Sequence, residues 1–350
     1  MQAYISLTPI GLFTHDENGA MLGSVIFSDR KKAKAALMSA MQEKVTEEER
    51  QLLDMIGKKY ESIIFEHRKE GYSSEFPNLS GNIARDNLPK LAVSAGFCKN
   101  ASELHDYINS LNTEMTRVSI KAASTDDRLV VHAINTIDEL ESSANTLSIR
   151  LKEWYALYFP ELIAKTRSNE KLASILTTNA ERESISKEDA KNSMGGDFSG
   201  VDVSVMQNYA SLIDSIYAKR KELESYVTKK SQEIMPNACL LISPTLAARM
   251  LSDAGSLEKL SKLPSSTIQI MGAEKALFRH MQGRGPSPKH GLIFQSPLVN
   301  QAPKNIRGKI SRMLASKISI AFRMDHFDKK LTGGKKLKED LDKRLENIKR

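Results

Sequence analysis

The segment Gly272-Ala273-Glu274-Lys275-Ala276-Leu277-Phe278-Arg279-His280 brings three chemical capacities together. Gly272 and Ala273 stand where a helix would begin, and their small side chains let another backbone approach closely. Lys275 and Arg279 are four residues apart and share a helix face. Phe278 offers a ring that can stack on an unpaired base or on a duplex end. The competing reading makes Leu277 and Phe278 core anchors and leaves the cations merely solvated. The surrounding charge favours RNA. Between Glu274 and Asp325 lie 50 residues with no Asp or Glu, carrying Lys275, Arg279, Arg284, Lys289, Lys304, Arg307, Lys309, Arg312, Lys317 and Arg323. A solvated face normally mixes both signs. A surface without carboxylates repels a polyanion less, and each phosphate it neutralises releases counterions.

Other chemistry is not signalled. Seven histidines are scattered without HExxH spacing, and Cys98 and Cys239 lie far apart. That argues against a disulfide framework or a cysteine zinc site and suits a reducing compartment. Thr332-Gly333-Gly334-Lys335-Lys336 has the composition of a phosphate loop, but no strand precedes it. Nothing in these patterns points to an enzyme.

The elements that must position the cations divide by charge and period. The chain has 350 residues and a mass of 39.0 kDa, which suits two or three domains. Residues 231–350 hold 22 Lys and Arg against 10 Asp and Glu, a net of +12, whereas residues 1–230 have a net of −4. Neither a secretory signal nor a membrane span is expected. Residues 1–118 read as a small α/β domain. Strands are expected at Ala3–Thr8, Leu12–Thr14, Met21–Phe27 and Tyr60–Phe65, with helices from Ser28 to about Met41 and around 82–95 and 102–119. Thr46 with Glu49 forms a capping-box pattern.

Residues 119–235 read as a long antiparallel coiled-coil arm. Val130, Ile137, Ala144, Leu151 and Tyr158 repeat every seven residues, as do Ala133, Leu140, Leu147 and Trp154 at an offset of three. A second seam runs through Tyr209, Ile216 and Leu223, with Leu212 and Tyr226 at its offset. Gly195-Gly196 supplies the turn between the two. Lys165–Asn192 looks too polar to face a thick core. Residues 236–330 read as an all-α basic domain, with Thr267–Ile270 extended and a helix after Pro303 to about Arg323. On that helix Lys304, Lys309, Arg312 and Arg323 share an arc of roughly 140°. Ile306, Ile310, Met313, Leu314 and Ile320 face the other way. Residues 331–350 read as a charged tail, frayed or disordered. The fold class is therefore multidomain α+β, mostly α.

GAEKALFRHM at 272–281, PKHGLIFQSPLV at 288–299 and APKNIRGKISRMLASKISIAFRMDHF at 302–327 closely resemble the Nop domain. NTIDELESSANTLSIRLKEWYALYFPEL at 135–162 is similar to the family's coiled coil. The resemblance covers essentially the whole chain. The absence of a long Lys/Glu repeat tail points to an archaeal member rather than a eukaryotic nucleolar one.

The resemblance implies a non-catalytic scaffold of box C/D small ribonucleoproteins. Residues 1–118 would bind the methyltransferase fibrillarin, and the coiled coil would pair two copies. The Nop domain would grip kink-turn guide RNA together with its ribosomal-protein-like partner. RNA contacts would fall on Gly272, Ala273, Lys275, Ala276, Leu277, Phe278, Arg279, Lys289, His290, Lys304, Arg307, Lys309 and Arg312. The assembly would direct guided ribose 2′-O-methylation of ribosomal and transfer RNA. No cofactor of its own is implied, since S-adenosylmethionine is bound by the methyltransferase. The expected location is cytoplasmic in an archaeon and nucleolar in a eukaryote. A splicing-factor-like Nop protein that recruits no methyltransferase is the alternative.

Overall fold

A computed structural model describes residues 2–39, 45–57, 60, 62–328 and 330–349. The chain divides into two compact units, residues 1–123 and 124–350. In the first unit the order is β1 (Gln2–Thr8), β2 (Gly11–Asp16), β3 (Met21–Ile26), α1 (Arg30–Ser39), α2 (Glu47–Ile56), β4 (Ser62–Phe65), β5 (Ser73–Ser74), α3 (Leu79–Asp86), α4 (Leu88–Ser94) and α5 (Ala101–Ala123). The sheet order is β3-β2-β1-β4-β5. β1–β2 and β2–β3 are antiparallel, and β4 and β5 continue the sheet in parallel.

Alternation along β2 places Leu12 with Ile5 of β1 over α2 on one face and Phe13 against α1 and α3–α5 on the other, where Ile10 of the intervening turn joins it. Thr46 and Glu49 form the expected capping box, with Glu49 N donating to Thr46 Oγ1 at 3.2 Å and Thr46 N to Glu49 Oε2 at 2.7 Å. The helix expected around 82–95 is instead two, divided at Asn87. Met41 and Glu61, within the expected first helix and fourth strand, lie outside the described residues.

The second unit is helical: α6 (Asp126–Tyr155), α7 (Pro160–Lys165), α8 (Asn169–Thr178), α9 (Arg182–Ile185), α10 (Lys187–Lys191), α11 (Gly200–Ile234), α12 (Pro236–Cys239), α13 (Pro244–Ala254), α14 (Leu257–Lys262), α15 (Ser265–Ile270), α16 (Glu274–Met281), α17 (Pro297–Asn300), α18 (Arg307–Phe327) and α19 (Leu331–Lys349), with a 3-10 turn at Leu292–Gln295. α6 and α11 run antiparallel, since Asp126 meets Lys230 at 3.6 Å and Glu141 meets Arg220 at 3.7 Å.

The seam differs from the sequence pattern in register. On α6 the set Val130, Ile137, Ala144 and Leu151 is buried as expected, and so is Ala133, but the other companions lie four residues on, at Ile134, Ser148 and Tyr155. Leu140 and Leu147 are half-buried and Trp154 is exposed. On α11 the buried heptad is Val203, Met206, Ala210, Ile213 and Tyr217. Tyr209, Ile216 and Leu223 sit at its edge, and Leu212 and Tyr226 are exposed. The cause is a third helix. Leu172, Ala173 and Leu176 of α8 are fully buried in the same core, so α11 is covered from two sides. The polar segment 165–192 therefore does contribute to a core.

Beyond α11, residues of α13, α15 and α18 build an aliphatic core with Met250, Leu251, Ile268, Leu314, Ile318 and Phe322 at its centre. Thr267–Ile270, expected extended, is helical in α15. Asp325, which ends the acid-free stretch, is fully buried and accepts from Asn237 N (2.8 Å), Asn237 Nδ2 (2.8 Å) and Ala238 N (2.9 Å). Those N–H groups open α12, so the carboxylate caps a helix from afar. The charged tail is neither frayed nor disordered over its described residues. As α19 it packs antiparallel to α18 through buried Leu341 and Leu345.

Candidate nucleic-acid interface

α16 has no buried residue. Phe278 is 61% exposed, which rejects the reading of it as a core anchor; Leu277 is half-buried. Burying a Phe side chain stabilises by roughly 1.5–3 kcal/mol, so this exposure leaves hydrophobic free energy available to a ligand. Lys275, Phe278 and Arg279 fall within a ~100° arc of the helix. Ala273 is half-buried at the N-cap, and Ala276 is exposed.

Two glycines aim this helix. Gly272 has φ +80, and a Cβ there would meet Leu292 Cγ at 2.7 Å. Its N–H donates to Glu274 Oε1 at 2.7 Å. The approach at Gly272 is thus by a side chain. The close backbone approach belongs to Gly291, where a Cβ would lie 2.0 Å from Met271 O. Gly291 N donates to Gln269 O (3.0 Å) and Leu292 N to Met271 O (2.7 Å), which joins the two loops. The C-terminus of α16 is closed by Gly283 at φ +71 and by Arg284 N donating to Arg279 O at 2.8 Å.

The second part of the site surrounds the start of α18. Lys304 lies in the turn before the helix rather than inside it, and Arg307 is its first residue. The helix has no side-chain cap and no acid in its first turn. The Lys289 stem passes over Gly308, its Cδ 3.5 Å from where a Cβ would stand. Cations gathered at the positive end of a helix oppose its dipole unless an anion joins them.

Arg307 is differently placed from the others. Its Nε donates to Ala302 O and a terminal nitrogen to Asn300 O, both at 2.8 Å. Its guanidinium lies 5.4 Å from the Phe294 ring centroid, and Phe294 stacks on His290 at 4.7 Å. Arg307 therefore ties the 290–302 loop together and presents His290. Arg323 likewise donates to Ser261 O at 3.2 Å, and Lys317 pairs with Asp340. Ile320, expected on the buried face of α18, is exposed. Among the described residues, Lys275, Arg279, Arg284, Lys289, Lys304, Lys309 and Arg312 have no carboxylate partner, and all are exposed. Residues of the acid-free stretch also enter the core, but its aliphatic side chains go inward while these seven cations stay in solvent. Gly291, where the two loops join, and Phe294, the ring between Arg307 and His290, are not singled out by charge pattern; both stand in the 288–299 stretch that carries the family resemblance.

Fold and site thus define a two-unit, mostly helical protein with seven exposed cations that have no carboxylate partner among the described residues. Residues 136–347 match the family described as "snoRNA binding domain, fibrillarin", and residues 2–121 match "Archaeal Nop5/56-rel, N-terminal domain". The chain belongs to the archaeal Nop5/56-related family. A NOP5 family protein of Methanocaldococcus jannaschii, itself uncharacterised, is 35% identical over 99% of this chain and 86% of that relative. Nucleolar protein 56 of Bos taurus is 36% identical over 63% of this chain and 40% of its own, and that of Schizosaccharomyces pombe 36% over 67% and 52%. The chain spans about half or less of these nucleolar relatives. The crystal structure of a fibrillarin/Nop5p complex aligns over 98% of this chain and 99% of that one, with 19% identity and a TM-score of 0.44, too low to equate the arrangement of their units.

Proposed function

We propose that the protein is a non-catalytic scaffold of a box C/D ribonucleoprotein. In this reading residues 1–118 hold fibrillarin, 119–235 pair two copies, and 236–330 grip kink-turn guide RNA with its bound protein. The scaffold keeps the methyltransferase beside a ribose chosen by base pairing, which raises its effective concentration there. The methyltransferase supplies both S-adenosylmethionine binding and methyl transfer. The setting is the archaeal cytoplasm. The observation that carries this function is the set of seven exposed cations of the acid-free stretch, without carboxylate partners among the described residues, together with an exposed Phe278.

Self-pairing is supported by apolar side chains left in solvent on α6 and α11 and the segment after α6: Ile149 (58%), Leu157 (62%), Val201 (73%) and Val205 (48%). The match of residues 2–121 to the archaeal N-terminal family favours methyltransferase recruitment over the splicing-factor-like alternative.

Assembly of the complete chain with a guide RNA, the kink-turn protein and fibrillarin tests the reading. Arg279→Ala and Phe278→Ala are expected to weaken assembly on RNA, each by about 1–3 kcal/mol, with thermal stability unchanged. Unchanged assembly in both would remove the assigned role. Failure to bind fibrillarin would leave the splicing-factor-like alternative.

A further inference from the structure

α19 brings a second wall to the basic surface. It lines a groove of about 450 Å³ against α18, formed by Lys309, Arg312, Met313 and Ser316 on one side and Arg344, Asn347 and Ile348 on the other. The floor is apolar, since Met313 and Ile348 are both half-buried. The rim is cationic. Lys309 and Arg312 have no carboxylate partner among the described residues. Among the described residues the acid on this side is Asp340, which pairs with Lys317 and with Arg344 Nε (3.2 Å). Those contacts, Lys317 foremost, hold its carboxyl below the usual carboxylate range.

The sidedness of α19 decides what can enter. At ~100° per residue, Arg344, Asn347 and Ile348 occupy an arc of about 100°. Glu339, Asp342 and Glu346 point to the opposite side, roughly 160–220° from Arg344. The groove therefore meets an incoming group with net positive charge, an apolar floor and one amide able both to donate and to accept.

We propose that this groove binds one unpaired nucleotide of the RNA. Its base rests on Met313 and Ile348, its phosphate lies between Lys309 and Arg312, and Asn347 meets the base edge. This rests on the RNA-scaffold function above and extends it to a site that includes the tail helix. An acidic protein segment with an apolar side chain is the competing occupant. A nucleotide is favoured because one residue of it carries both an anion and a flat apolar face, matching the cationic rim and the apolar floor together.

The test uses the complete chain assembled with the kink-turn protein and a guide RNA substituted with thiouridine, followed by irradiation and peptide mapping. Crosslinks are expected in Lys309–Lys317 or Arg344–Ile348. They should fall about fivefold when Ser316→Asp and Asn347→Asp, both at exposed positions, place acids in the groove. Crosslinks confined to 272–291 would overturn the groove while leaving the α16 interface standing. Crosslinks to neither region would overturn both readings.

Discussion

Arg307 and Arg279 carry the same charge into different surroundings. The Arg279 side chain is exposed and without a carboxylate partner among the described residues, whereas Arg307 holds two main-chain carbonyls and the Phe294 ring. Arg307→Lys keeps the charge but loses the planar fork. It is expected to lower unfolding free energy by about 1.5–3 kcal/mol, measured by urea titration, while Arg279→Lys changes it by less than about 0.5 kcal/mol. Equal stability of Arg307→Lys and the unaltered chain would end the positioning role. Charge counting could not separate the two arginines. The difference lies in whether a loop carbonyl folds back within reach, as those of Asn300 and Ala302 do for Arg307.

At the scale of elements, local signals were legible and partner-dependent ones were not. The capping box at Thr46 and the α16 segment were readable because their determinants lie within a few residues. The seam register was not. Heptads at Tyr209 and at Val203 fit the α11 sequence equally well, and burial of α8 chose the second. The tail was misread for the same reason. Its composition is that of a solvated segment, but Leu341 and Leu345 share a face that α18 covers. In the first unit a buried polar contact gives a pH response. His15 Nδ1 lies 2.8 Å from Ser80 Oγ, and burial lowers its pKa from the ordinary 6.5. The unfolded chain then binds more protons, so the stabilisation is present above pH 6.5 and lost as pH falls toward the lowered value. Urea unfolding followed at β2 amides should show a falling midpoint below pH 6.5, and His15→Asn should flatten that dependence. A midpoint independent of pH in the unaltered chain would contradict this account of His15.

For the whole molecule, charge and hydrophobicity are segregated along the chain. Acidic and balanced residues fill the first 230 positions, and the +12 excess lies after them. Exposed aliphatic side chains on α6 and α11 sit away from the acid-free stretch in sequence, so the proposed pairing and RNA-binding roles rest on different residues. Leu157→Glu with Val205→Glu places four charges in a two-fold contact and should convert a dimer to a monomer by light scattering. A monomeric unaltered chain would remove the pairing role while leaving RNA binding intact.

The claim on which the rest depends is that cations from α16 and from the start of α18 meet phosphate. The direct measurement is the salt dependence of affinity for a kink-turn RNA carrying its bound protein, taken with the complete chain and with Lys275→Gln/Arg279→Gln/Lys304→Gln. The logarithmic slope should fall by about 0.7–0.9 for each cation removed, or roughly two to three in all. An unchanged slope and affinity would show that this face does not hold RNA.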